Sequence, residues 1–109
     1  MSTLSTHVLD TMLGRPAARV GVRLLTGETV LHAGETDADG RCRAFPELAA
    51  GRYRLEFAAG AYFHALGLDL PEPPFLDVVP IDFGIGEAGT HYHVPLLVSP
   101  YSYSTYRGS

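Results

Sequence analysis

The sequence predicts an all-β chain arranged as a sandwich or barrel. Three observations carry that expectation. Turn-forming clusters recur roughly every eight to twelve residues, the segments between them alternate apolar and polar side chains, and helical periodicity is nearly absent. A length of 109 residues suits a single domain spanning 1–109.

Taken in order, Leu4 to Asp10 reads as a first strand, ended by Gly14-Arg15-Pro16. Val20, Val22 and Leu24 then alternate with Arg19, Gly21 and Arg23, the pattern of a half-buried strand. Thr26-Gly27-Glu28 forms a tight hairpin turn into a strand from Thr29 to Glu35. The polar run Thr36-Asp37-Ala38-Asp39-Gly40 is a further turn, with Gly40 free to take a positive φ. A short strand is expected from Cys42 to Phe45. Arg52 to Phe57 alternates cleanly, with Tyr53, Leu55 and Phe57 inward and the charges outward.

Gly60 to Leu66 is the one credible helix, of about two turns at most. Leu68 to Phe75 carries Pro71, Pro73 and Pro74 and must be loop. Val79, Ile81, Phe83 and Ile85 mark a strand that Pro80 assigns to an edge or a bulge. Thr90 to Val98 reads as one strand and Tyr103 to Arg107 as a short last one. The total is about eight strands and one helix.

Composition narrows the function. Hydrophobic residues make up 46% and charged residues 18%, so the chain packs a core rather than staying disordered. The net charge of -4 and the scattered arginines argue against nucleic acid, whose phosphates need clustered cations. All eight basic residues are arginine, which excludes Schiff-base chemistry and a lysine base. The single Cys42 forms no intramolecular disulfide, so no oxidising compartment is needed. No apolar run approaches the roughly 20 residues of a membrane span. Met1 to Thr6 lacks the features of a signal peptide, and Arg107-Gly108-Ser109 is not the peroxisomal signal. A cytoplasmic location is expected.

Candidate chemistry lies in two segments. In the strand from Thr90 to Val98, a period of two places His91, His93, Pro95 and Leu97 on one face and Tyr92, Val94, Leu96 and Val98 on the core side. The two histidines project together, roughly 7 Å apart at strand rise. They read as ordinary hydrogen-bonded strand residues, as a zinc pair, or as proton-transfer groups titrating near neutral pH. No carboxylate or cysteine stands nearby at ligand spacing, which disfavours the metal. His7 on the first strand and Arg41 beside the Asp39-Gly40 turn are unremarkable alone. The second segment is Pro100 to Ser109, dense in hydroxyls, which reads either as an edge strand or as part of a site.

That segment resembles the 5-hydroxyisourate hydrolases, the enzymatic relatives of transthyretin. Tyr106-Arg107-Gly108-Ser109 matches the signature that separates those enzymes from transthyretin itself. His91-Tyr92-His93-Val94-Pro95-Leu96-Leu97, Ser5-Thr6-His7-Val8-Leu9-Asp10 and the Thr36–Arg41 turn resemble the family's other segments, in the expected order. The proline-rich stretch Leu68 to Asp77 departs from the pattern, being looser and more acidic.

The resemblance implies a transthyretin-like sandwich of two four-stranded sheets with one short helix, assembled as a homotetramer with sites between its dimers. It implies hydrolysis of 5-hydroxyisourate to 2-oxo-4-hydroxy-4-carboxy-5-ureidoimidazoline in urate breakdown, without metal or organic cofactor. Catalytic positions fall on His7, Arg41, His93 and Ser109, with Tyr106 and Arg107 joining His7 and Arg41 in substrate binding. His91 has no catalytic counterpart, and neither do His32 and His64. Two rivals remain: a transthyretin-like carrier without catalysis, and a purely structural interaction domain.

Overall fold

A computed structural model describes all residues from Met1 to Ser109. In chain order the strands are β1 (Thr3–Asp10), β2 (Arg15–Pro16), β3 (Gly21–Thr26), β4 (Thr29–Glu35), β5 (Arg41–Cys42) and β6 (Gly51–Ala58). The helix α1 (Ala59–Ala65) follows, then β7 (Val78–Ile85), β8 (His91–His93), β9 (Leu96–Val98) and β10 (Tyr103–Thr105). Two sheets and one short helix make the sandwich that the sequence leads one to expect.

One sheet is regular. Its order is β4-β3-β6-β7, with every neighbour antiparallel. Alternation puts Val22, Leu24, Leu55, Phe57, Val79 and Ile81 into the core, each almost fully buried. Each such side chain adds about 1.5–3 kcal/mol relative to an exposed one. The proline in β7 finds its place because β7 is an edge strand, so the missing N–H of Pro80 costs no interior ladder bond.

The other sheet is a patchwork around β1. Along one edge of β1 run β5, opposite Thr6 and His7, and β2, opposite Leu9 and Asp10. Along its other edge run β8 and β9, both parallel to it, and β10 lies outside β9. The expected four strands are thus four rows made from six segments. The single strand expected over Thr90 to Val98 is broken, because Pro95 has no N–H for the ladder. Its register survives the gap: Thr3 faces His91 before it and Val8 faces Leu96 after it.

Smaller boundaries also shift. Arg15–Pro16, expected only as a turn, folds back onto the end of β1. The strand expected from Cys42 to Phe45 is the shorter Arg41–Cys42 pairing, and the last strand stops at Thr105. The helix starts one residue earlier than expected and buries Ala59, Gly60, Tyr62 and Phe63, spaced to share one face.

Every buried side-chain nitrogen and oxygen has a hydrogen-bond partner. Asp10 is 1% exposed, and its carboxylate accepts from the N–H groups of Met12 and Leu13 and from the Tyr62 hydroxyl at 2.8 Å. Burial, then the Asp10 hydrogen bond and charge, pushes the Tyr62 hydroxyl up to about 12. Thr36 ties the turn after β4 to the chain before β3, accepting from the Val20 N–H and donating to the Ala17 carbonyl.

Candidate active site

Strand β1 divides its residues by the pleat. Leu4, Thr6, Val8 and Asp10 point into the core, so Thr3, Ser5 and His7 face outward. Pairing then selects their neighbours. His91 lies beside Thr3, His93 beside Ser5, and Arg41 beside His7. Residues far apart in sequence thereby share one open face.

The loop before β5 holds the His7 end of that face. The Asp37 carboxylate accepts from the N–H groups of Asp39 and Arg41, at 2.9 and 3.0 Å. The Arg41 N–H, then that of Asp39 and the charges of Arg43 and Arg41, hold the Asp37 carboxyl below the usual range despite some desolvation. Gly40 takes a φ of 75°, and a Cβ there would lie 2.5 Å from the Val8 carbonyl oxygen. Only glycine lets the loop dock this closely. Its docking puts the Asp39 carbonyl 2.8 Å from His7 Nε2. A carbonyl has no proton to give, so Nε2 carries the hydrogen and neutral His7 keeps its lone pair on Nδ1.

At the other end, the Ser5 hydroxyl bridges two imidazoles. It lies 2.8 Å from His93 Nδ1 and 2.9 Å from His91 Nε2. The Thr3 hydroxyl lies 2.6 Å from His91 Nδ1. Burial pushes His93 below its ordinary value, and the positive charges of Arg41, His7 and His91 push the same way, against an opposing Ser5 main-chain hydrogen bond. At neutral pH, His93 is therefore an uncharged base.

The tail closes onto this end. The Gly108 N–H donates to the His93 carbonyl at 2.8 Å. A Cβ on Gly108 would lie 2.5 Å from His93 Cδ2, so only a residue without a side chain lets the tail lie against the ring. Ser109 then joins Ser5, Arg41, Arg43, His91 and His93 in lining a cleft of about 610 Å³. A larger hollow of about 940 Å³ lies on the other sheet, but it contains no histidine and its Arg54 is paired with Asp82. Chemistry, not size, selects the smaller one.

A family model described as the HIUase/Transthyretin family matches residues 4–108. The chain is 58% identical to a 5-hydroxyisourate hydrolase of Caulobacter vibrioides over the whole of both chains. It superimposes on the structure of Klebsiella pneumoniae 5-hydroxyisourate hydrolase with a TM-score of 0.89 at 43% identity, again covering both chains fully. The chain belongs to the HIUase/Transthyretin family. Sea bream transthyretin, solved in complex with thyroxine, also matches, with a TM-score of 0.85 at 32% identity over 97% of this chain and 94% of that one.

Within this family member, His93, Arg41 and Ser109 line the cleft and His7 stands beside it, across the β1–β5 pairing from Arg41. Tyr106 and Arg107 lie elsewhere. They border a separate hollow of about 240 Å³ with Ile81 and Phe83, and the Arg107 guanidinium stacks 4.1 Å over the Tyr92 ring. His32 packs edge-on against Phe45, and His64 sits in the last turn of α1. Ser5, Thr3 and the Asp37 loop were absent from the sequence-based site. The signal for the first two was available: Thr3, Ser5 and His7 alternate on the strand as His91 and His93 do.

Proposed function

We propose that this chain hydrolyses 5-hydroxyisourate, opening the cyclic amide to give 2-oxo-4-hydroxy-4-carboxy-5-ureidoimidazoline. One observation carries the assignment to this face. Two imidazoles and an arginine converge beside a cleft lined by no Asp or Glu side chain, which suits a small planar anion. The family relationship supplies the substrate.

Hydrolysis needs a base for water, a charge to hold the oxyanion and an acid for the leaving nitrogen. His93, neutral at physiological pH, has Nε2 free once Nδ1 is engaged by Ser5. His7 has Nδ1 free once Nε2 is engaged by Asp39. The pair therefore shares the base and acid roles. Arg41 stands between the loop and the cleft and holds the charge that develops on the carbonyl oxygen. The Ser109 hydroxyl orients the water or the substrate. Tyr106 and Arg107, which point away from the cleft of their own chain, bind substrate across a subunit boundary.

That last role requires assembly, and we place the chain in a homotetramer whose sites lie between dimers. Support comes from the open β1 face and from the exposed Tyr101, Tyr103 and Tyr106 along the tail. Sedimentation should give four times the 11.7 kDa chain mass. A cytoplasmic location accords with the lone reduced Cys42.

An ultraviolet time course with freshly generated 5-hydroxyisourate tests the assignment. Wild type should accelerate decay far above background, and folded His93→Ala should lose about a hundredfold or more. Decay at the spontaneous rate with wild type would overturn hydrolysis and leave a non-catalytic binding protein.

A further inference from the structure

Two imidazoles share one hydroxyl at the base of the cleft. The chain of contacts runs from Thr3 Oγ1 through His91 Nδ1, His91 Nε2 and Ser5 Oγ to His93 Nδ1, at 2.6, 2.9 and 2.8 Å. Nothing about His91 as a strand residue requires both of its nitrogens to be engaged. All four residues line the cleft, and Ser5 is buried at 9% exposure while His91 is exposed, so the chain leads along the cleft wall from its half-buried His93 to its exposed rim.

We propose that His91 is a positioning residue for the hydrolysis, acting through Ser5 to fix the tautomer of His93 and to share its proton. The inference rests on the hydrolase assignment above. Its physical basis is that a serine hydroxyl has one proton to give. When both rings are neutral and His93 Nδ1–H donates to Ser5, the Ser5 hydroxyl donates to His91 Nε2, and His91 Nδ1–H donates to Thr3. Turning the Ser5 hydroxyl towards His93 reverses all three. With that hydroxyl donating to one ring and accepting from the other, the two rings carry their protons on the same kind of nitrogen, and the forward direction leaves Nε2 of His93 bare, as a base must be.

The same chain accommodates the proton that His93 takes from water. As Nε2 gains it, the Nδ1 proton passes to Ser5 and the Ser5 proton passes to His91 Nε2. His93 ends neutral and His91 ends cationic, the network having gained only the one proton taken from water. This moves positive charge out of a half-buried position faced by His7 on β1 and by Arg41 and Arg43 around β5, and towards water. Reversal returns the proton to His93 for the leaving nitrogen. The tail's contribution to the cleft is Ser109, with its hydroxyl and its terminal carboxylate.

The test combines kinetics with nitrogen-15 spectra of labelled protein, comparing wild type with Ser5→Ala, Ser5→Thr and His91→Phe. Expected in wild type is one shared tautomer, Nδ1–H, for both neutral rings, lost in Ser5→Ala and regained in Ser5→Thr. Expected in Ser5→Ala and His91→Phe is a drop in kcat of about tenfold with KM near wild type, below the hundredfold cost of losing the proton-transfer group itself. The pH–rate profile of both should also shift, a change that a merely structural role would not produce. Wild-type kcat and an unshifted profile in folded His91→Phe would overturn the relay while leaving the hydrolase assignment intact. Failure of wild type to accelerate decay would overturn the hydrolase assignment and with it the relay's role in turnover, whatever the spectra show.

Discussion

The two sheets of this molecule are built on different plans. Between β6 and β7 the ladder runs unbroken from Gly51–Ile85 to Ala58–Val78. Around β1 no pairing exceeds three residues. In the regular sheet two of the three arginines are held in cross-strand ion pairs, Arg23 with Glu56 and Arg54 with Asp82. The patchwork sheet holds His7, Arg41, His91 and His93. A long antiparallel ladder joins strands over their full length and commits each edge to a single neighbour. Short segments let β1 take a different partner every few residues, so stretches from residue 3 to residue 109 meet on one face.

This contrast breaks most visibly in the core of the regular sheet. Leu55 is fully buried at its centre, and Leu55→Ala should cost about 2–5 kcal/mol through lost contacts and a cavity. Denaturant unfolding reads that loss, while the fraction still folded should turn over substrate normally. A comparable loss of activity per folded molecule would mean that the two sheets are not separable in this way. The opposite outcome is expected in the patchwork sheet. Gly108→Ala puts a methyl group where the His93 ring lies, so ring or tail must move. The rate should fall about tenfold to a hundredfold, as displaced catalytic groups do, with little change in melting temperature.

A third substitution sharpens the comparison within β1 itself. Tyr62→Phe removes the hydroxyl that donates to Asp10 on the inner face of that strand. A buried carboxylate oxygen left without its partner costs about 1–3 kcal/mol. Stability should fall by that amount and kcat should not change, because Asp10 and His7 lie on opposite faces. A drop in kcat without a drop in stability would show that the inner polar cluster reaches the cleft.

The regular sheet was the more legible of the two in the sequence. Alternation is clear in β6, where Tyr53, Leu55 and Phe57 fall on the side it assigns them, although the outer strand β4 is exposed almost throughout. The patchwork sheet was harder to read because its pairing is non-local. Nothing near Arg15–Pro16 indicates that it returns to β1, and one proline converts Thr90–Val98 from a strand into two segments. The candidate catalytic residues came from the resemblance; the period of two explained why His91 and His93 face the same way. The same period puts Thr3, Ser5 and His7 on one face of β1, but it does not show that the Ser5 hydroxyl touches both histidines. That contact depends on β1 and β8 being parallel neighbours in a particular register, which no local pattern encodes.

The smallest expected effect is a dependence of stability on pH that belongs to His93 alone. Its folded value lies below the ordinary 6.5, chiefly because burial disfavours the imidazolium. Between the folded value and 6.5 the unfolded chain binds the proton more readily than the native one. Stability therefore rises with pH across that window. The contribution is fully present above 6.5 and is lost as pH falls towards the folded value. Asp37 and Asp82, held below 3.8, contribute only at more acidic pH, and Tyr62 acts between its ordinary 10 and about 12. Urea midpoints measured over a pH range of about 5 to 8 isolate the histidines. The slope should be shallower in His93→Gln than in wild type, since glutamine has nothing to titrate. Equal slopes would show that the site does not resist protonation of His93, and the claim that it works as a neutral base at physiological pH would lose its physical support.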